Sequence, residues 1–401
     1  MTLILHDRSI ATDHSLALRH SRVAIAAAFG IAGAAIGTWT ARIPTIQHRL
    51  DLSDSQLSVA LCALAVGGLM GMRSSGRLVD RHGAARVITV TSLSLGAVLT
   101  LAAYAPNLLL LALALLGFGI VHGSLNVSMN AAAVACQSSY RRPIMTSFHA
   151  LFSIGGACGA AAGAAGAHLQ LSAAATFAVV GAMLTLTAGW AVRWIKPATA
   201  ATATAAGQPS ASPESCGIPS HLRRRVLLLG GLAFCCLIGE AAAADWSSVH
   251  LDQIGASPSM AAAAYAAFAV LMTSGRLAGD RISAVFTPVT LLRAGGLLAA
   301  GGLAAGILIG HPVAAIIGWG CLGAGLSCIV PHLYSAAGQL APDRAGAVLA
   351  QVAALGYLGY VTGPVIVGTA SMHVGLSNAL LILLILATVL ALAAPVVRIA
   401  K

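Results

Sequence analysis

The sequence predicts an all-α integral membrane protein with twelve transmembrane helices arranged in two six-helix bundles. Composition, the length of the apolar runs and one central polar segment carry this prediction. Of 401 residues, 58% are hydrophobic and only 8% are charged, with a mean hydropathy of +0.89. Ordinary soluble domains carry roughly 25% charged residues. A soluble protein of this composition would expose apolar patches large enough to aggregate, which excludes that class.

Twelve predominantly apolar runs are long enough to cross a membrane as helices. A helix needs about 20 such residues to span a hydrocarbon core of about 30 Å. The runs are rich in Ala and Leu, which favour helix, and they lack the alternation of barrel strands. They lie near residues 23–41, 57–75, 84–104, 107–132, 144–166, 171–194, 223–244, 258–277, 287–309, 312–337, 345–369 and 376–398.

The basic residues predict the orientation. The first 21 residues contain Asp7, Arg8, Asp13 and Arg19, with no separate apolar core, and therefore do not resemble a cleaved signal peptide. With residues 1–22 as a cytoplasmic amino-terminal tail, 20 of the 22 Lys and Arg residues face the cytoplasm, and only Arg42 and Arg49 face outward. This is the bias that the positive-inside rule describes. The net charge of +11 then comes from basic residues in cytoplasmic loops, where they lie beside anionic lipid head groups. We therefore expect no nucleic-acid binding.

A polar segment divides the chain into similar halves. Residues 196–222 are rich in Ala, Thr, Ser and Pro, a composition typical of linkers, and separate predicted bundles at 23–195 and 223–398. Each half carries a charged motif after its second predicted helix. The motifs read GRLVDRHG at 76–83 and GRLAGDR at 275–281. Repeated six-helix halves related by an axis along the membrane normal are a transporter architecture.

The whole chain resembles the major facilitator superfamily (MFS) of transporters. The resemblance is carried by the twelve helices, the central linker and the charged motif. The segments WTARIPTIQHRLDLSDSQL, TSFHALFSIGG and GEAAAADWSSVHL further resemble the bacterial YbjJ-like branch. The resemblance implies a monomeric, multi-pass carrier of a small solute in the bacterial inner membrane, working by alternating access with both termini cytoplasmic. We expect proton coupling and a small polar solute; the alternative is a multidrug or metabolite exporter working by proton antiport.

The charged motifs are candidate gating elements. The carboxylate of Asp80 is expected to face the positive end of a helix dipole, or an Arg of a neighbouring loop, as a weak latch. The alternative is a loop whose arginines only set the topology. The second copy carries one extra residue before Asp280. The candidate gating residues are Gly76, Asp80, Arg81, Gly83, Gly275, Arg276, Asp280 and Arg281.

Few ionisable residues lie within the apolar runs, and such residues are functional candidates because burying them is costly. Glu240, in the seventh predicted helix, is the leading candidate for a carboxylate that binds the transported proton. The alternative for Glu240 is a structural ion pair, with Arg42 as a suitable partner. Asp245, His149 and His332 are further candidates for proton coupling.

Polar side chains also mark a possible substrate cavity. His122, Asn126 and Asn130 are spaced four residues apart and therefore lie along one face of the fourth predicted helix. The alternative is hydrogen bonding between helices. The other cavity candidates are Arg42, Tyr265, Gln351 and Tyr357.

Glycines at four-residue spacing predict close helix packing. They occur at Gly119 and Gly123, and at Gly155, Gly159 and Gly163. Small residues at this spacing let helix backbones approach closely.

The sequence contains no set of residues typical of an enzyme or a pump. It lacks a GxxxxGK[ST] phosphate-binding loop, a converging catalytic set and a metal-binding Cys/His spacing. We therefore expect no enzymatic activity, no cofactor and no metal. The expected partners are a small-molecule substrate, protons and the lipid bilayer.

Overall fold

The computed structural model describes residues 2–140, 142–195 and 220–398, and these residues contain twelve helices and no strand. The predicted all-α membrane fold is confirmed. The linker predicted at 196–222 lies almost entirely outside the described residues. The helices are α1 Thr2–Arg49, α2 Asp54–His82, α3 Ala84–Ala103, α4 Leu108–Tyr140, α5 Met145–His168, α6 Ala173–Ala191, α7 Ser220–Gln253, α8 Pro258–Val285, α9 Pro288–Ile309, α10 Pro312–Leu340, α11 Ala345–Val374 and α12 Leu376–Leu392.

Ten of these helices are long and apolar enough to cross a membrane. The other two are α8, which carries the second charged motif, and the shorter apolar helix α12. A turn at Ser327 and Cys328 interrupts α10.

The helix starts follow from local sequence signals. Ser53 caps α2 in a capping box with Gln56, which satisfies two backbone amides that lack helical partners. Three later helices begin with proline at the first position, where its missing N–H costs nothing. In each of these, the preceding side chain accepts a backbone hydrogen bond, at Ser257, Thr287 and His311.

The structure divides into two compact units. Unit 1 comprises Met1–Ile144, Leu151–Cys216 and Ala341–Ala350. Within it α2 packs on α4, α3 packs on α4 and α6, and α1 packs on α6. The backbones of α1 and α5 also meet closely, since a Cβ atom on Gly159 would lie 2.1 Å from the Ala34 carbonyl oxygen. The predicted close packing of the α5 glycines is therefore found.

Unit 2 comprises Met145–Ala150, Gly217–Leu340 and Gln351–Lys401. Its packing repeats that of unit 1 six helices later, with α8 on α10, α9 on α10 and α12, and α7 on α12. The α1–α5 approach has its counterpart in α7 and α11, where a Cβ on Gly359 would lie 2.3 Å from the Phe234 carbonyl oxygen. The internal repeat seen in the sequence is thus a repeat of helix packing.

The charged motifs are helical, which differs from the predicted turns after the second helix of each half. Helix α2 continues to His82, so Gly76 is a helical residue and only Gly83, at φ 81°, makes the turn. A Cβ on Gly76 would lie 2.9 Å from the Cβ of Ala350, which makes Gly76 a packing residue. The second motif lies entirely inside α8.

Candidate functional site

Unit 2 contains an ion pair between α7 and α8 in which Arg276 is buried and Glu240 is half-buried. The Nη2 atom of Arg276 donates to both carboxylate oxygens of Glu240, at 3.1 and 3.2 Å. The side chains are 8% and 17% exposed, respectively. The partner of Glu240 is therefore Arg276, and not Arg42 as the sequence suggested. Removing one member of a buried pair typically costs about 3–5 kcal/mol, because it leaves an uncompensated charge.

A one-residue insertion explains why Arg276 reaches this pair. When the shared letters GRL are aligned, Arg276 corresponds to Arg77. When the motif aspartates Asp80 and Asp280 are aligned instead, Arg276 corresponds to Gly76, because the second motif has one extra residue before its aspartate. Burial agrees, since Gly76 and Arg276 are buried, whereas Arg77 is exposed. One residue turns a helix by about 100°. Arg276 was predicted as a gating residue, and the insertion directs its side chain towards Glu240.

Other titratable side chains of unit 2 surround the pair. The tyrosines Tyr265, Tyr334 and Tyr360 lie within electrostatic range of the Glu240 carboxylate, and His149 lies within range of Arg276. His149 contacts the Tyr334 ring edge to face, with 6.0 Å between ring centroids. Glu240 and His149, two of the predicted proton-coupling residues, therefore both lie near Arg276. The sequence alone had not connected Arg276 with either of them.

His332 forms hydrogen bonds at both ring nitrogens. Its Nδ1 lies 2.6 Å from the carbonyl oxygen of Cys328, and its Nε2 lies 3.1 Å from Ser283 Oγ. Because a carbonyl only accepts, Nδ1 carries the hydrogen; in the neutral ring Nε2 then accepts from the serine hydroxyl. His332 is buried, and these bonds fix the orientation of its ring.

The two motif aspartates each bind the first turn of another helix. Asp80 accepts hydrogen bonds from the backbone amides of Gly346 and Ala347, at 3.0 and 3.1 Å, at the start of α11. The first turn of a helix has unsatisfied N–H groups and a positive dipole end, so a carboxylate is stabilised there. This geometry matches the helix-dipole contact expected for Asp80.

Asp280 makes the corresponding contact with α5. Its Oδ1 accepts from the backbone amide of Ser147 at 3.1 Å and from the hydroxyl of Thr146. Every residue number in this contact differs from its counterpart by 200, which pairs residues 80 and 280, and residues 346 and 146. This repeat relates Thr146 and Ser147, which sequence reasoning missed, to Gly346 and Ala347.

Arg42 and Arg49, the two basic residues predicted to face outward, bind backbone carbonyls in unit 1. Arg42 is 2% exposed and donates to the carbonyl of Leu171, just after α5. Arg49 donates to the carbonyls of Ala103 and Ala105 at the end of α3. Cations stabilise the carbonyl-rich ends of helices. These contacts join both arginines to the ends of helices within unit 1.

Most of the polar side chains on the predicted face of α4 make hydrogen bonds or ring contacts within unit 1. His122 Nε2 donates to the Ala32 carbonyl at 3.3 Å, and its ring contacts Phe118 and Phe152 edge to face. The side-chain amide nitrogen of Asn130 donates to the backbone carbonyl of Asn126 at 2.8 Å. The side-chain oxygens of both asparagines are buried and lack a hydrogen-bond partner among the described residues. His122 therefore fits the interhelical alternative, while the two oxygens remain acceptors.

The remaining predicted residues lie at exposed or half-buried positions. Tyr265 is 43% exposed and stacks on Phe268, while the half-buried Tyr357 stacks on Tyr360. Gln351 and Asp245 are exposed, and Asp245 follows Glu240 on α7. Within the part of the chain that the structure describes, neither of them has a side-chain partner that indicates a role.

Comparisons with known proteins agree on one family. The family model described as Major Facilitator Superfamily matches residues 23–364. An uncharacterized MFS-type transporter of Yersinia pestis is 33% identical over 373 residues, covering 92% of this chain and 94% of the relative. The membrane protein MosC of Rhizobium meliloti is 27% identical, covering 92% of this chain and 88% of the relative.

Solved structures show the same fold. The MFS transporter FucP in its outward conformation matches with a TM-score of 0.72 at 15% identity, covering 94% of this chain and 98% of FucP. The proton:xylose symporter XylE matches with a TM-score of 0.69 at 13% identity, covering 94% and 95% of the two chains.

Proposed function

The chain belongs to the Major Facilitator Superfamily of transporters and is not an enzyme, and we propose that it moves a small polar solute together with protons by alternating access. The observation that carries the proton coupling is the buried Glu240–Arg276 pair. In this proposal Glu240 binds the transported proton. A carboxylate in an apolar environment that can exchange a basic partner for a proton is suited to load and release protons.

The two aspartate contacts serve as gates in this proposal. Asp80 holds the start of α11 through two backbone amides, and Asp280 holds the start of α5 through one backbone amide and one hydroxyl. A contact of this kind is worth about 0.3–1 kcal/mol at an exposed site. That amount biases an equilibrium between two conformations without trapping either of them. We place the protein in the bacterial inner membrane as a monomer with both termini in the cytoplasm.

The test is proton movement driven by solute in liposomes containing the purified protein and an internal pH dye. The solutes are sugars, sugar acids, nucleosides, amino acids and lipophilic cations. We expect a polar solute to drive proton entry with the wild-type protein, and Glu240→Gln to abolish this entry while exchange of labelled for unlabelled solute continues. Asp252→Asn, an exposed acid near the end of α7, is the matched control and is expected to behave as wild type.

Two results would contradict this function. Undiminished proton entry with Glu240→Gln would remove Glu240 from the coupling mechanism. A response to lipophilic cations alone would favour the exporter that the sequence leaves open as the alternative.

A further inference from the structure

We propose that His332 is a positioning residue for transport: its imidazole holds a break in α10 against α8 and thereby fixes the place of Arg276 and Asp280. The inference goes beyond the proposed function, because it gives His332 a role in which the ring carries no transported proton. It rests on that function only in the transport readout of the test. The two helices concerned, α8 and α10, both belong to unit 2.

The break in α10 has a local cause in the sequence. Pro331 has no backbone N–H, so the hydrogen bond to the Ser327 carbonyl four residues earlier cannot form, and the proline ring crowds that carbonyl. The Ser327 amide instead donates to the carbonyl of Ala324, three residues back, at 3.4 Å, and the Ser327 hydroxyl donates to the same oxygen at 2.6 Å. Bonds over three residues tighten a helix into a 3-10 turn, and such turns within a helix often mark functional hinges. The break therefore lies at Ser327 and Cys328.

His332 connects the two sides of this break. Its Nδ1 donates to the Cys328 carbonyl at 2.6 Å, and its backbone amide donates to the same oxygen at 3.3 Å. The ring is buried, and its Nε2 accepts from the Ser283 hydroxyl of α8 at 3.1 Å. One side chain thus joins the helix after the break, a residue within the break and the neighbouring helix.

Helix α8 lies directly on the break. A Cβ on Gly275 would lie 2.3 Å from Ser327 Oγ, and the Gly275 carbonyl accepts from the Cys328 thiol at 3.7 Å. A Cβ on Gly279 would lie 2.9 Å from Cys328 Sγ. Gly275, Gly279 and Ser283 are spaced four residues apart and therefore share one face of α8. The break and the imidazole together form the surface on which this face rests.

Each of the two glycines is followed directly by a charged residue of the second motif. Arg276 follows Gly275 and binds Glu240. Asp280 follows Gly279 and binds the start of α5. One residue turns a helix by about 100°, so the placement of the glycine face also sets the directions of both charged side chains. A displacement of the break therefore moves the ion pair and the α5 contact together.

Unit 1 provides a matched comparison. Residues 200 apart occupy equivalent places in the two units, as the two aspartate contacts show. The counterparts of Pro331 and His332 are Ala131 and Ala132, and α4, which contains them, is a continuous helix. The counterpart of Arg276 is a glycine. The break and its histidine thus occur in the unit that contains the ion pair.

The test measures hydrogen–deuterium exchange of backbone amides in the purified full-length protein, peptide by peptide. His332→Leu removes both hydrogen bonds of the ring, whereas His332→Asn places an amide nitrogen close to the position of Nδ1 and keeps the donor to the Cys328 carbonyl. We expect His332→Leu to speed exchange about threefold to tenfold in residues 324–334 of α10 and also in residues 275–283 of α8. His332→Asn should resemble the wild type. His373→Leu removes an exposed histidine of α11 and is the control, expected to have no effect on either segment.

A further substitution tests whether His332 acts through the break. Pro331→Ala restores the N–H that a continuous helix needs, so the imidazole has less to hold. In this background we expect His332→Leu to change exchange in residues 275–283 by less than about twofold, because effects that share one structural cause are not additive. If His332→Leu alone does not fold, folding of the double variant supports the inference and its failure to fold overturns it.

Transport gives the second readout, in the liposome assay with the solute panel described above. We expect His332→Leu to slow proton entry about threefold to tenfold at saturating solute, while the concentration for half-maximal entry changes by less than about twofold. His332→Asn should restore the rate. A histidine that carried the proton would give a different result, because an asparagine amide cannot take up a proton in its place.

The inference is overturned if His332→Asn is as impaired as His332→Leu, if faster exchange is confined to α10, or if His332→Leu keeps its full effect in the Pro331→Ala background. These results differ from a failure of the proposed function. When no solute of the panel drives proton entry, the function is rejected, and the exchange measurements still decide the positioning role. Loss of proton entry in both His332 variants, with unchanged exchange in α8, rejects the positioning role and keeps the function.

Discussion

Asp80 and Asp280 occupy equivalent positions and bind equivalent backbone amides at the first turns of α11 and α5. The partner residues are also equivalent, since Gly346 corresponds to Thr146 and Ala347 corresponds to Ser147. The two contacts differ in the donor at the first of these positions, because the backbone amide of Gly346 donates to Asp80, whereas the side-chain hydroxyl of Thr146 donates to Asp280. Duplicated halves thus retain a carboxylate-to-helix contact with different donors.

Replacing Asp80 with Asn is expected to slow transport while leaving solute affinity nearly unchanged. The asparagine amide keeps one acceptor oxygen but lacks the negative charge that is stabilised at the start of α11. The contact is therefore weakened by about 0.3–1 kcal/mol, which corresponds to a transport rate about twofold to fivefold lower. Transport rate and binding affinity measured on the same reconstituted protein check this prediction. A large loss of affinity with normal turnover would show that Asp80 acts in binding and not as a latch.

Replacing Thr146 with Val is expected to weaken the α5 contact. Valine has nearly the same shape but cannot donate to Asp280, and a hydrogen bond to a charged group is worth about 1.5–3 kcal/mol. The unfolding temperature should fall for Thr146→Val, and combining it with Asp280→Asn should cost less than the two single losses added together. Thr369→Val is the control, because Thr369 is exposed and donates only within its own helix. Simple additivity in the double variant would argue against the hydroxyl contact.

The Glu240–Arg276 pair is expected to show strong coupling in stability. Arg276→Gln should lower the free energy of unfolding by about 3–5 kcal/mol, because it leaves the Glu240 charge buried without its partner. Adding Glu240→Gln should restore much of the loss, since the double variant has no buried charge. Denaturation in detergent at neutral pH measures both effects. If the double variant is less stable than Arg276→Gln alone, the two side chains do not act as a buried ion pair.

Two glycines of α4 provide a matched test of helix packing. A Cβ on Gly119 would lie 2.2 Å from the Leu64 carbonyl oxygen of α2, whereas one on Gly117 would meet nothing within 4 Å. We expect Gly119→Ala to lower the unfolding temperature, because the backbones must separate to avoid the clash. Gly117→Ala should leave it unchanged or raise it slightly, since Ala favours helix. Equal effects of the two substitutions would contradict the close α2–α4 approach.

The amino-acid sequence alone was sufficient for the family and for the all-α membrane fold. Apolar run length and composition report directly on burial in lipid, so the helix starts of α3, α8, α10, α11 and α12 match the predicted ones. The predicted family was correct because its motif is local in the chain. Helix ends were less accurate, as α2 and α8 continue through their charged motifs where turns were expected.

Only the tertiary structure decided which side chains meet. The sequence offered Arg42 as a partner for Glu240, because nothing in one sequence reports distances between helices. The true partner, Arg276, depends on a rotation of about 100° that a single inserted residue introduces. The amides that bind Asp80 lie 266 and 267 residues away in the chain. Backbone amides have no residue-type signature, so contacts of this kind become visible only once the helices are packed.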